Sequence, residues 1–145
     1  MKARTFVILC VLTALLAGVL LQAQGVVEIR AASSSAVAGW RRVTAAGGDA
    51  MWVAPASSLT SADIAGVEDE IEPNGRATVK VVFTAEGARK MRQLSAAQTN
   101  QRIAVLLDGK VMWAPVVRAA IESEAMLTGL SPENALRLVA ALQRQ

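Results

Sequence analysis

The chain has 145 residues, 53% of them hydrophobic and 19% charged, enough for one compact domain with a real core. It carries no histidine, and its one cysteine, Cys10, lies in an apolar N-terminal stretch. This removes the commonest general base, a thiol nucleophile, cysteine metal ligands and any disulfide from everything beyond that stretch. The formal charge of +3 shrinks once Lys2 and Arg4 are set aside, since 15 basic residues become 13 against 12 acidic. A balance near +1 is no electrostatic footprint for nucleic acid.

The first segment opens on Lys2 and Arg4, runs almost purely apolar from Phe6 to Leu21, and ends in Gln22-Ala23-Gln24-Gly25. A helix over that run reaches roughly 24 Å, short of the ~30 Å hydrocarbon core. Residues 1–23 therefore read as a secretory signal peptide cut after Ala23, with an uncleaved membrane anchor as the alternative. Either way residues 26–145 form an exported domain, periplasmic or held at the outer face of the inner membrane.

Beyond the leader, Gly25 to Ala32 alternates weakly and suggests an edge strand, with Val27 and Ile29 on one side and Glu28 and Arg30 on the other. The small and glycine-rich stretch from Ser33 to Asp49 reads as a loop. Met51 to Ala54 is a short apolar piece before Pro55. Thr60 three residues ahead of Asp63 is a capping-box pattern for a short helix near Ser61. Val67–Glu72 and Arg76–Phe83 flank Asn74-Gly75, a hairpin signal of the two-residue kind. In its second arm Val79 and Val81 face one way and Lys80 and Val82 the other.

Thr84 then caps a helix with Glu86 in its first turn and Ala88, Met91, Leu94 and Ser95 at helical spacing, and Asn100 supplies a left-handed stop. The stretch "RIAVLLDGKVMWAPVV" follows. Its Asp108-Gly109 sits between apolar runs, a strong signal for a type I′ hairpin. Ile103 to Leu107 is apolar at every position, so both faces of that arm are covered, and Pro115 belongs at a strand end. After a loop around Ile121 to Glu124, Ala125–Thr128 adds a short strand. The last helix has Ser131 as cap, Pro132 at its first position and Leu136, Val139 and Leu142 as its buried stripe. The sum is an α+β two-layer sandwich: a mostly antiparallel sheet with hairpins and two packed helices, preceded by the leader helix.

Candidate chemistry is thin. Glu68, Asp69, Glu70 and Glu72 offer paired carboxylates, yet on a strand Glu68, Glu70 and Glu72 form a solvated outer face while Val67 and Ile71 point inward. Ser33 to Ser35 have no base to activate them. The lone glycine after Thr84 makes no phosphate cradle. Arg41 and Arg42 beside Trp40 read as surface, and Trp52 and Trp113 as core residues that also suit a groove. No catalytic residue, cofactor site or metal site is expected.

The pattern of Phe83, Thr84, Glu86, Gly87, Ala88, Leu107, Asp108, Gly109, Lys110, Val111, Ala114 and Pro115 resembles the periplasmic part of the SecD and SecDF protein-export subunits. The likeness is strong from Phe83 to Leu142 and thinner from Val26 to Val82, where "VVEIR" and "LTSADI" match early segments of the family. Trp113 stands where the family usually has serine, and Glu122-Ser123-Glu124 replaces much of a glycine-rich turn. The residues up to Gln145 include no membrane-helix block with proton-coupling acids, so none of them is expected to inherit that role.

The resemblance implies the head subdomain of the first periplasmic region standing alone. It also implies a non-enzymatic partner for unfolded or emerging polypeptide, with translocase subunits as further partners. The edge from Lys110 to Pro115, with Trp113 as the side-chain contact, is then the expected binding surface, while the signature residues themselves are mainly structural. The alternative is a secreted structural or interaction module that kept the fold without a role in export.

Overall fold

A computed structural model describes residues 26–45 and 47–144. The leader expected over residues 1–23 lies outside them. Among the described residues nine strands form, β1(Val27–Ser33), β2(Arg41–Thr44), β3(Ala50–Val53), β4(Leu59–Thr60), β5(Ile64–Ile71), β6(Ala77–Phe83), β7(Arg102–Leu107), β8(Lys110–Trp113) and β9(Glu124–Leu130). Helices α1(Ala85–Ala97) and α2(Pro132–Gln143) and a 3₁₀ turn at Ser61–Asp63 complete the fold. Every strand pairing is antiparallel, and the strands divide between two sheets. One sheet has the order β2-β3-β1-β7-β8 with β4 also on β1, and the other has β5-β6-β9. The expected α+β sandwich of antiparallel strands and two helices is what forms.

The fully apolar arm explains the layering. Ile103, Val105 and Leu107 of β7 enter the main core between the sheets and the helices, while Ala104 and Leu106 enter a smaller core on the sheet's other face. Each large aliphatic side chain buried this way contributes roughly 1.5–3 kcal/mol. The smaller core also holds Ala32, Met51, Val53 and Val111, and it exists because the sheet curls until β2 and β8, its two ends, approach each other.

Five local expectations need correction, the first being Ile71, expected to point inward but 54% exposed at the end of β5. The strand after the leader is interior, because β1 pairs with β7 along six residues, Val27 opposite Leu107 through Ala32 opposite Arg102. Its wet-looking Glu28 and Arg30 are covered by the loop over Ala54–Ser57, where Arg30 donates to the carbonyls of Ala54 and Pro55. The stretch expected as loop contains β2, since Arg41–Thr44 pairs with Ala50–Val53. The Asn74-Gly75 turn is wider than the two-residue kind: only Gly75 has positive φ (81°), and Glu72 N–H bonds the Arg76 carbonyl around three residues. Leu136 is 62% exposed, because α2 is rotated so that Ala135, Leu138 and Val139 meet the core.

Candidate functional site

The signature residues fall into two groups, each held by backbone contacts. In the first, Phe83 ends β6 inside the main core. Thr84 then turns the chain into α1: its Oγ1 accepts the Gly87 N–H at 3.0 Å, while its own N–H donates to the Asp63 carbonyl at 2.9 Å. Glycine at 87 is required by crowding, since a β-carbon there would stand 2.1 Å from the Asp63 carbonyl oxygen. Glu86 is exposed and chelated by the Arg89 guanidinium, whose hydrogen bonds hold its carboxyl below the usual range.

Asp63 itself carries more than its place in the sequence suggests. Its side chain is 7% exposed, and its carboxylate accepts the Thr60 N–H at 3.0 Å and the Lys90 ammonium at 2.9 and 3.2 Å. The capping box was visible in Thr60-x-x-Asp63, and the short 3₁₀ turn is where it lies. Lys90 is 27 residues away, so no local pattern pointed to it. This pair staples α1 to the turn before β5.

The second group is the β7–β8 hairpin. Asp108 and Gly109 have φ of 51° and 80°, the left-handed pair that a type I′ turn needs. Asp108 also grips the start of the domain, its carboxylate accepting the Val26 N–H at 2.8 Å and its N–H donating to the Val26 carbonyl at 2.9 Å. Lys110 is exposed at the start of β8. Pro115 lies past the end of β8, where its carbonyl accepts the Ile103 N–H at 3.2 Å. Trp113 is half-buried, its ring packed on the main core and its Nε1 donating to the Thr128 carbonyl at 3.1 Å. That bond ties the two sheets together. Trp52 is also half-buried, with the Arg42 guanidinium 6.0 Å from its ring centre.

A third polar cluster lies over β1. Glu28 accepts from the Arg30 Nε at 2.7 Å and from the Ser57 hydroxyl. The Ser57 bond first, and then Arg30, hold the Glu28 carboxyl below its ordinary value against the opposing effect of burial. Sequence alternation showed the two charges on one side of β1, but nothing announced the loop that covers them.

These arrangements position backbone rather than reacting groups. Glu68, Asp69 and Glu70 are exposed, and among the described residues no group of three or more acidic, cysteine or histidine side chains could hold a metal ion. The cavity between the sheets is apolar and only about 10 Å³, room for no more than one water. No helix among the described residues is long and apolar enough to cross a membrane.

The family model for the P1 head subdomain of SecDF matches residues 29–144, which takes in both groups and both sheets. The chain belongs to the SecDF P1 head family. It is 40% identical to the protein translocase subunit SecDF of Thermus thermophilus over 74 residues, half of this chain and 10% of that one. It is 33% identical to the protein translocase subunit SecD of Acidaminococcus fermentans over 87 residues, 59% of this chain and 21% of that one. The chain thus spans a tenth to a fifth of the length of the curated relatives it matches. Its fold superimposes on a SecDF structure described as a membrane component that enhances protein export, with a TM-score of 0.63, 27% identity and coverage of 83% of this chain and 62% of that one. A crystal structure of SecDF in a super-membrane-facing form aligns with the same score over 19% of its length. The resemblance carried by Phe83–Pro115 therefore extends across the whole head fold.

Proposed function

We propose that this P1 head is a non-enzymatic binding module that contacts extended polypeptide on the outer face of the inner membrane and so assists protein export. The reading is supported by the head fold itself, shared over 83% of the chain with a SecDF that enhances export. Fold alone transfers shape better than task, so the surface matters. The candidate is the segment from Lys110 to Pro115, the last strand of its sheet, with the Trp113 ring half open to an incoming side chain.

The test compares binding of the full chain to a secreted protein kept unfolded by reduction and alkylation with binding to the same protein folded. Preference for the unfolded form, weakened by Trp113→Phe at a temperature where that variant is still fully folded, is the expected result. Equal binding to both forms, or none to either, overturns the reading and favours an interaction module unconnected with export. Translocase subunits are the further expected partners, and a pull-down from envelope extract that lacks them at good bait levels argues the same way.

A further inference from the structure

An open groove of about 390 Å³ runs between the β7–β8 turn and the outer flank of α2. Leu107, Met112 and Ala140 line its floor. Lys110 stands on one wall, and Arg137 and Arg144, seven residues apart and so on one helix face, stand on the other. Arg137 is partnered by Glu133 at 2.6 Å, and Asp108 at the rim is turned to the Val26 N–H. Among the described residues neither Lys110 nor Arg144 has an acidic partner. This groove is therefore cationic in a domain whose overall charge is nearly balanced.

Its place in the chain gives the cations a neighbour. The double hydrogen bond between Val26 and Asp108 fixes the point where the N-terminal segment meets the domain, two residues from Lys110. Only residues 22–25 separate Val26 from Leu21, the end of the apolar run. Five residue steps span at most roughly 17 Å. In the uncleaved form, where that run is the membrane anchor, a bilayer holding it keeps its headgroups within reach of the groove mouth.

We propose that the groove docks on anionic phospholipid headgroups, with Lys110 and Arg144 meeting the phosphates and seating the head against the membrane surface. Each such cation near an anionic surface is worth about a fivefold preference over a neutral one. The inference stands apart from polypeptide binding and survives its failure.

The full chain is placed in nanodiscs of phosphatidylcholine alone or mixed with phosphatidylglycerol. Acylation of Lys110 by a water-soluble amine reagent is then followed by mass spectrometry, with Lys80 on the other sheet as internal reference. Lys110 is expected to react roughly fivefold more slowly on the anionic discs, the effect disappearing at high salt. Arg144→Gln, an exposed change that leaves the fold intact, returns the Lys110 rate toward its value on neutral discs. Equal rates on the two discs overturn the proposal, as does slowing that salt and Arg144→Gln leave unchanged. Protection by soluble polyglutamate but not by phosphatidylglycerol overturns it too, in favour of an acidic protein partner.

Discussion

The carbonyl oxygen of Asp63 occupies the place where a β-carbon would stand at Gly87, 2.1 Å from it. The start of α1 can lie against the turn before β5 only because residue 87 has no side chain. The same Asp63 carbonyl accepts the Thr84 N–H, so the crowded contact is also a bonded one. Gly87→Ala must push the helix off that turn, at a cost of about 3 kcal/mol or more. Urea unfolding measures it, and a loss under about 1 kcal/mol would show that the turn yields freely.

Removing the Asp63 carboxylate is expected to cost more than removing its partner. Asp63→Ala abandons the Thr60 N–H and leaves Lys90 unpaired, a loss of about 2–3 kcal/mol. Lys90→Ala leaves the carboxylate still bonded to Thr60, and the lysine, 36% exposed, was already half in water. Its cost is roughly 1 kcal/mol. Thermal melts of the two variants, side by side, give the order.

Acid should loosen the loop over β1. The Glu28 carboxyl is depressed when folded, so its stabilisation is full above the ordinary value of 4.5 and is lost as pH falls through the lower folded value. Glu28→Gln is expected to flatten the stability curve below about pH 4.5 while reducing stability at neutral pH. Urea midpoints across that range decide it, and parallel curves for the two proteins would assign the acid limb elsewhere. Glu72 and Glu86, lowered by Thr78 and Arg89 respectively, act in the same direction, Glu72 from a half-buried position and Glu86 from an exposed one.

Trp113 separates packing from hydrogen bonding. Trp113→Phe keeps most of the ring contact and loses only the bond to Thr128, about 1 kcal/mol. Trp113→Ala opens a hole between the sheets and costs about 3 kcal/mol. Guanidinium unfolding of both variants tests the pair, and equal losses would place the value of Trp113 in its N–H alone.

The type I′ turn tolerates side chains unequally. Gly109→Ala forces a β-carbon into φ of 80° and should cost roughly 1–2 kcal/mol, although open space surrounds the position. A loss with the amide signals of β7 and β8 unshifted in NMR spectra marks strain confined to the turn.

Legibility in the sequence followed the range of the interactions. The Asp108-Gly109 turn, the Thr84 and Ser131 caps and the doubly buried arm all rest on neighbours a few residues apart, and all appear where the residues suggested. The misread parts depend on distant partners. β1 is interior because a strand 70 to 80 residues later pairs with it, and β2 exists because β3 lies beside it. The phase of α2 was set by the core it meets, which turned Leu136 outward despite its apolar side chain. Among the candidate contacts, the sequence placed Trp113 on a sheet edge but held no sign of Thr128 as its acceptor, or of Lys90 as the mate of Asp63.

The pairing of β1 with β7 also sets an order of events for a chain that leaves a membrane channel N-terminus first. β1 emerges early, but its long partner comes out only when Leu107 does. Until then β3 and β4 cover no more than parts of it, and the loop to be closed is long. In a chain exported as proposed, the principal sheet therefore assembles late, after most of the polypeptide has crossed, and the nascent head passes through as unpaired chain of the sort it is proposed to receive.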